Sequence, residues 1–374
     1  MQYVDEFRDP ALAKSLLAQI NRQVEKLADR QGKPLQIMEV CGGHTHAIFK
    51  FGIDQLLPPQ IEFIHGPGCP VCVLPMGRID TSINIAMHED VILCTFGDVM
   101  RVPGEQGSLF DAKRKGADVR IVYSPLDALT LAKQNPTKKV VFFGIGFETT
   151  MPSSALTLQL AKQQNVTNFY FLCQHITIIP TLHSLLEQPD IRIDGFLAPG
   201  HVSMVIGATP YDFIAKDYDR PVVVTGFEPL DILQAILMLV NQFVDGRREV
   251  ENQYRRIVLQ DGNPQALAAM ADVFETKVES EWRGLGVIPH SGVQLTEKYR
   301  EFDAEIKFNT VDPSVSDDPQ ARCGDVLTGR CKPLDCPHFG TKCVPEHPIG
   351  ALMVSSEGAC AAYYKYHRDM KGGL

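Results

Sequence analysis

The chain has 374 residues, 44% hydrophobic and 22% charged, which is ordinary for a globular protein of two or three domains. With 45 acidic against 36 basic residues its net charge is −9, so nucleic acid and anionic membranes are poor candidates for main partners. The N-terminus lacks the basic and apolar segments of a signal peptide, and no apolar run is long enough to span a bilayer. We therefore expect a cytoplasmic protein, whose ten cysteines are not a disulfide framework.

The first part of the chain alternates between strand and helix patterns. An amphipathic helix is predicted over residues 10–30, and strands are predicted at 35–40, 61–64, 91–95 and 119–123. Helical segments separate these strands. The alternation predicts right-handed βαβ units and a mostly parallel sheet.

The same alternation begins again near residue 139. Strands are predicted at 139–143, 169–173, 196–197 and 222–225. Loops of the two halves resemble each other, as in Gly66-Pro-Gly-Cys69 and Ala198-Pro-Gly-His201, which indicates a weak internal duplication.

We therefore predict an α/β fold with two Rossmann-like parallel-sheet half-domains and a C-terminal α-rich region that carries a cysteine-rich tail. The predicted units are an N-terminal helix, the first α/β domain, the second α/β domain and the C-terminal helical domain, at 1–34, 35–130, 131–229 and 230–374.

Two cysteine motifs follow the first two predicted strands. Cys41-Gly-Gly-His-Thr-His46 comes after the first strand, and His65-Gly-Pro-Gly-Cys-Pro-Val-Cys72 comes after the second. Loops at the carboxyl ends of parallel strands meet in one crevice, where ligands bind. If the two strands are neighbours, Cys41, Cys69 and Cys72 converge on one site.

Each of these residues has a chemical interpretation. Cys69 and Cys72 form a C-x-x-C pair, which is typical of a redox-active dithiol, although two packed and reduced cysteines are the alternative. Cys41 lies between a strand end and a helix start, whose amides should lower the thiol pKa and favour the thiolate, a nucleophile and metal ligand. His44 is a candidate base or hydrogen-bond donor beside it.

The remaining cysteines divide into core and tail. Cys94 and Cys173 lie in apolar strands and are predicted to be buried. Soft thiolates select zinc or iron–sulfur clusters, and the tail has only one of the two close pairs that structural zinc sites use. A 4Fe–4S cluster is therefore favoured, with zinc and unligated thiols as alternatives. The five candidate ligands are Cys323, Cys331, Cys336, Cys343 and Cys360.

Together these motifs resemble the HypD family of nickel–iron hydrogenase maturation factors, over nearly the whole chain. The matching segments are Met38-Glu-Val-Cys-Gly-Gly-His-Thr-His-Ala47, His65-Gly-Pro-Gly-Cys-Pro-Val-Cys72, Thr95-Phe-Gly-Asp98, Gly144-Ile-Gly-Phe-Glu-Thr-Thr150, Ala198-Pro-Gly-His-Val-Ser203 and the tail from Cys323 to Tyr366.

The resemblance implies a scaffold on which an iron centre with two cyanides and one carbon monoxide is assembled. The scaffold would act with a small HypC-type chaperone and a HypE-type cyanide carrier, before delivery to the hydrogenase large subunit. Cys41 would share the Fe(II) of this Fe(CN)2CO precursor with the terminal cysteine of the chaperone. Cys69 and Cys72 would be the redox dithiol.

The family spacing C-x12-C-x6-C-x16-C falls on four of the tail cysteines. It implies that Cys323, Cys336, Cys343 and Cys360 hold the 4Fe–4S cluster, and it leaves Cys331 spare. Many relatives carry a further cysteine where this chain has Leu352, which those four ligands do not require.

Two other functions fit the residues. One is a ferredoxin-dependent thiol–disulfide reductase that acts on a protein substrate, and the other is a zinc-stabilised binding module. A reductase has no need of a third thiolate in the crevice, so Cys41 distinguishes it from the scaffold. Whether the scaffold is an enzyme in the strict sense is left open, because its product stays bound until it is handed on.

Overall fold

The computed structural model describes residues 5–27, 30, 32–310, 315 and 317–366. Its strands are β1 Leu35–Glu39, β2 Ile61–His65, β3 Val91–Thr95, β4 Val119–Ile121, β5 Lys139–Gly146, β6 Phe169–His175, β7 Gly195–Pro199, β8 Val222–Thr225, β9 Val250–Asn252, β10 Phe274–Thr276, β11 Glu279–Trp282, β12 Gly286–Pro289 and β13 Val293–Leu295.

Helices connect most of these strands. The α-helices are α1 Pro10–Val24, α2 Gly42–Lys50, α3 Ile53–Leu56, α4 Met76–Ala86, α5 Leu109–Arg114, α6 Pro125–Gln134, α7 Met151–Gln163, α8 Ile178–Leu186, α9 Gly200–Ile206, α10 Asp212–Tyr218, α11 Pro229–Asp245, α12 Pro264–Val273, α13 Ala304–Phe308, α14 Cys323–Leu327 and α15 Ala359–Tyr366. Short 3-10 helices occur at Asp5–Arg8, Gly97–Arg101, Thr209–Tyr211, Glu297–Phe302, Pro333–Asp335 and Ala351–Met353. Within these ranges no helix has both the length and the apolar character needed to cross a membrane.

The longer strands form two parallel sheets. The first has the order β2-β1-β7-β8-β9, and the second has the order β4-β3-β5-β6. Every pairing in both sheets is parallel. The predicted α/β class with parallel sheets is confirmed.

The two sheets do not follow the predicted ranges 35–130 and 131–229. The chain builds β1 and β2, leaves for the whole of the second sheet, and returns to the first sheet at β7. Each sheet therefore contains strands from both ranges. The two similar Gly/Pro loops follow β2 and β7, which flank β1 in one sheet, so they do not occupy equivalent places in two separate sheets.

Successive side chains of a strand point to opposite faces of its sheet. In both sheets the side chains on each face are buried. In β3, Ile92 belongs to the core on the outer face of the second sheet, whereas Leu93 belongs to a central core that both sheets share with the C-terminal tail. In β8, Val223 faces the outer core of the first sheet. Cys94 and Cys173 are buried in the second sheet, as predicted.

The N-terminal helix is shorter than the predicted span of residues 10–30. It begins where the Asp9 carboxylate accepts the backbone N–H of Ala11 at 2.7 Å, with Pro10 in the first turn. It ends at Val24, and the N–H groups of Lys26 and Leu27 bond to carbonyls three residues back instead of four. Its apolar side packs on α11 and covers the first sheet.

The C-terminal region is less helical than predicted. Helix α11 is present, but β9 joins the first sheet, and two antiparallel pairs follow, β10 with β13 and β11 with β12. The prediction of an α-rich unit was wrong for these strands. Strands of three or four residues place only one or two side chains on each face, which is too few for a recognisable alternation.

Candidate functional site

The loops that carry the predicted cysteines meet at one edge of the first sheet. Because β1 pairs with both β2 and β7, the loop of Cys41 lies between the loops that follow those strands. The N–H of Gly42 donates to the carbonyl of Gly68 at 3.1 Å. A Cβ on Gly68 would lie only 2.1 Å from the backbone nitrogen of Cys41. The first two strands are therefore neighbours in the sheet, as expected, and their pairing brings the two cysteine loops into contact.

The C-x-x-C pair forms a disulfide in this structure. Cys69 and Cys72 are buried, their Cα atoms are 5.2 Å apart, and the N–H of Cys72 also contacts the Cys69 sulfur. A Cβ on Gly358 would lie 3.0 Å from the Cys72 sulfur. The disulfide thus lies between the Cys41 loop and the C-terminal tail.

A cleft of about 230 Å3 opens beside Cys41. The first sheet and its loops supply one wall, the loop after β5 and the start of α8 supply the opposite wall, and the tail supplies Glu357. The lining residues are Val40, Cys41, Gly43, Gly68, Pro70, Phe147, Thr149, Thr150, Ile178, Pro199, His201, Val202 and Glu357.

A buried glutamate at the end of β1 holds the Cys41 loop in place. Glu39 is fully buried, and its Oε2 accepts the backbone N–H of Cys41 at 3.0 Å. Its Oε1 accepts the Thr45 hydroxyl and lies 2.8 Å from Nδ1 of His65. Sequence reasoning did not single out Glu39. A charged residue that ends an apolar strand, two positions before a motif cysteine, is the signal that could have identified it.

The environment of Cys41 keeps its thiol protonated in the metal-free protein. Desolvation raises the pKa of Cys41 to about 12, and the negative charges of Glu357 and Glu39 act in the same direction. The amides of Gly43 and His44 lower this pKa, as expected at a helix start, but they offset only part of the rise. The expectation of a depressed pKa was wrong. A bound cation would reverse this balance, because it favours the thiolate.

His44 is part of the wall behind the cleft. It is buried, its Nε2 lies 3.3 Å from the carbonyl oxygen of Thr225, and its ring stacks on Phe227 at 4.7 Å. Phe227 also stacks on His201, with ring centroids 3.9 Å apart. Desolvation lowers the pKa of His44, so the ring is neutral near pH 7. Phe227, which sequence reasoning missed, therefore positions two histidines at once.

Glu148 lies beneath the opposite wall of the cleft. Its Oε1 accepts the N–H of Ile178, the first residue of α8, at 3.0 Å. Among the described residues its buried Oε2 has no hydrogen-bond partner. Burial raises the pKa of Glu148 to about 7.

Four of the five tail cysteines line a single cavity of mostly apolar surface. These four are Cys323, Cys336, Cys343 and Cys360, the set that the family spacing selects. Cys331 lies outside this cavity and lines a second one.

Local contacts in this cavity suit an iron–sulfur cluster. A Cβ on Gly350 would lie 2.2 Å from the Cys323 sulfur, so only glycine leaves that sulfur free to face the cavity. The N–H of Ile349 donates to the Cys343 sulfur at 3.4 Å, a contact typical of cluster ligands. Burial raises the pKa of Cys323 to about 12, so ionising these thiols together requires a cationic group. Across the described ranges, no three His, Cys, Asp or Glu side chains already stand in the arrangement of a metal site.

The fold and these sites define a class of protein: an α/β protein that pairs a half-buried thiol in a cleft with an adjacent disulfide and a thiol-lined cavity. Comparison with known proteins gives the family. A model of the HypD family, described as "Hydrogenase formation hypA family", matches residues 11–367. The chain belongs to the HypD family of hydrogenase maturation factors.

Several curated relatives match over almost their whole length. The chain is 64% identical to hydrogenase maturation factor HypD of Escherichia coli (strain K12) over 369 residues, which cover 99% of both chains. It is 56% identical to HypD of Rhodobacter capsulatus, with 98% of both chains covered. It is 47% identical to HypD of Azotobacter vinelandii, with 99% of this chain and 98% of that one covered.

Proposed function

We propose that this chain is the cytoplasmic scaffold on which the Fe(CN)2CO centre of nickel–iron hydrogenase is assembled. Cys41 holds the iron together with a HypC-type chaperone, a HypE-type carrier supplies cyanide, and the hydrogenase large subunit receives the product. The observation that carries this proposal is the packing of the Cys41 loop directly on the Cys69–Cys72 loop, at the mouth of one cleft.

The charges around Cys41 favour a cationic cargo. Glu39 and Glu357 hinder ionisation of the free thiol, but the same carboxylates stabilise a ferrous ion beside it. Binding of Fe(II) at the sulfur releases the thiol proton. The soft thiolate suits a ferrous ion with strong-field ligands.

The proximity of the disulfide to the tail supports an exchange of electrons between them. Opening the Cys69–Cys72 bond requires two electrons and two protons. Cys323, Cys336, Cys343 and Cys360 would hold a 4Fe–4S cluster, which supplies one-electron transfer when bound.

One glycine links the surroundings of this cavity and of the disulfide. A Cβ on Gly358 would lie 3.0 Å from the Cys72 sulfur and 2.3 Å from the carbonyl oxygen of Leu352, and Leu352 lines the cavity. We infer that electrons from an external one-electron donor protein would pass through the tail to the disulfide in two successive one-electron steps, with two protons taken up from solvent as the two thiols form. Replacing Cys336 by Ser should then remove the cluster and leave the disulfide oxidised. An unchanged disulfide redox state and unchanged iron-centre assembly in that variant would refute the electron path.

Infrared spectroscopy tests the scaffold. Three forms of the full chain are compared: the wild type, Cys41→Ala and Cys331→Ala. Each is purified without oxygen, together with its chaperone, from cells active in maturation. Cyanide and carbon monoxide stretching bands are expected in the wild type and in Cys331→Ala, which alters a cysteine outside both sites, and they should be missing in Cys41→Ala.

The reductase remains the second candidate, because the same disulfide and the same thiol-lined cavity would serve it. It predicts that the wild-type complex shows no such bands while it retains a cluster, and that Cys41→Ala leaves reduction of a protein disulfide intact. Together these two results would refute the scaffold function and favour the reductase function.

A further inference from the structure

A buried arginine lies outside the residues discussed so far. Arg283 follows β11 and is only 4% exposed. Its Nε donates to the Asp317 carboxylate at 2.7 Å, and its two terminal nitrogens donate to the carbonyls of Pro103 at 3.0 Å and Ile349 at 3.3 Å. Arginine is seldom buried so completely unless a partner compensates its charge or the charge has a functional role.

Arg283 adjoins the thiol-lined cavity at two points. Ile349, whose carbonyl accepts from the guanidinium, lines the cavity and donates its N–H to the Cys343 sulfur. Gly284, the residue after Arg283, packs so closely on Gly324 that a Cβ on Gly324 would lie 2.0 Å from the Gly284 carbonyl oxygen.

Gly324 in turn follows Cys323, so the two points of contact lie beside two different cysteines of the cavity. The guanidinium charge is close enough to lower the pKa of the Cys323 thiol, against the larger effect of burial. Arg283 also contacts the chain beside the disulfide. Its backbone N–H donates to the carbonyl of Val73 at 2.8 Å, and Val73 directly follows Cys72.

We propose that Arg283, opposed by Asp317, sets the reduction potential of the 4Fe–4S cluster held by the four cavity cysteines. This inference rests on the proposed function, which assigns the cluster to that cavity. The couple is the one-electron reduction of the cluster, which adds one negative charge to a group already made negative by four thiolates. A fixed positive charge beside the cavity stabilises the reduced form more than the oxidised form and so raises the potential.

Asp317 acts in the opposite sense and more weakly. It is about one third exposed, whereas Arg283 is almost wholly enclosed, so solvent screens its charge more. Because the pair carries opposite charges, the two substitutions should shift the potential in opposite directions. A purely structural role would not produce that reversal of sign, since breaking one ion pair from either side would disturb the fold in the same way.

The test is a redox titration of the cluster in the full chain, purified without oxygen. Electron paramagnetic resonance measures the fraction of reduced cluster at each potential. In R283Q the ratio of reduced to oxidised cluster at a fixed potential should fall about tenfold, equivalent to a shift of about 59 mV for one electron. In D317N that ratio should rise severalfold. R283K keeps the positive charge but not the set of guanidinium hydrogen bonds, and its reduction potential should stay near that of the wild type.

The outcomes separate this inference from the proposed function. A cluster that forms in all four proteins with the same potential, or potentials that fall in both R283Q and D317N, would overturn the assignment of Arg283 alone. If R283Q does not fold, D317N decides: a raised potential supports the inference, and an unchanged or lowered one overturns it. A wild-type protein that binds zinc or no cluster would instead overturn the proposed function.

Discussion

Gly68 is the position at which the two cysteine loops touch, and it permits a sharp test of that contact. A Cβ added there would lie 2.1 Å from the nitrogen of Cys41, 2.2 Å from the carbonyl carbon of Val40 and 2.4 Å from the Cα of Cys41. All three are backbone atoms, so no flexible side chain can move aside. Gly68→Ala must therefore push the two loops apart by roughly 1 Å, since protein interiors are close-packed.

The expected loss of stability follows from this overlap. Overpacking by one carbon in a well-packed region costs about 1–3 kcal/mol. The upper part of that range should apply here, because the clash is with backbone. Urea unfolding of the metal-free chain should therefore give a lower midpoint for Gly68→Ala with an unchanged slope.

The matched control is Gly97→Ala, whose added Cβ would meet only the Ile121 side chain, at an ordinary 3.7 Å. Its unfolding free energy should stay within about 0.5 kcal/mol of the wild type. Gly68→Ala should also lose the cyanide and carbon monoxide bands although all ten cysteines remain. A Gly68→Ala protein as stable as the wild type and with full bands would show that contact between the loops is not needed.

Three further predictions concern a carboxylate, a thiol set and an ion pair. Because the pKa of Glu148 is raised to about 7, its neutral form contributes stability that is complete below the ordinary value of 4.5 and is lost as the pH rises through 7. Relative to Glu148→Gln, urea unfolding of the wild type should therefore lose about 2–3 kcal/mol between pH 5 and pH 8. Cys360→Ser should abolish the brown colour and the iron content of the anaerobically purified chain, whereas Cys331→Ser should keep both, since only Cys360 lines the four-cysteine cavity. Arg256→Ala should cost about 3 kcal/mol in urea unfolding, because it leaves the wholly buried Asp231 without its ion-pair partner at 2.6 Å.

Each of these predictions has a result that would contradict it. If the unfolding free energies of the wild type and Glu148→Gln change with pH in the same way, this carboxyl does not titrate in that range. Iron loss in Cys331→Ser equal to that in Cys360→Ser would refute the division of the tail cysteines. The control for Arg256 is its exposed neighbour Arg255, whose replacement by Ala should change the unfolding free energy by less than about 0.5 kcal/mol. An equally small loss in Arg256→Ala would contradict the importance of the Arg256–Asp231 ion pair.

The sequence by itself determined which segments are strands in most of the α/β part, and it singled out the residues that we propose carry the chemistry. Most of strands β1 to β8 lie in mostly apolar runs, and that pattern is local. The motifs around Cys41 and Cys72 are local as well, as is the spacing of the tail cysteines. Composition and motif spacing were therefore enough for the fold class and for the family.

Local pattern could not determine which strands pair. A buried parallel strand is apolar on both faces, so its sequence does not identify its neighbours, and the return of β7 to the first sheet was missed for this reason. The short strands β9 to β13 were missed because each is too short for a repeating pattern.

The electrostatics of the site also depended on the tertiary structure. The helix start beside Cys41 indicated a lowered pKa, but burial and the carboxylates of Glu39 and Glu357 outweigh it. The residues that set these charges are brought together from the end of a strand and from a tail more than 300 positions away. Desolvation and Coulomb interactions depend on distances in space, and a linear sequence does not contain those distances.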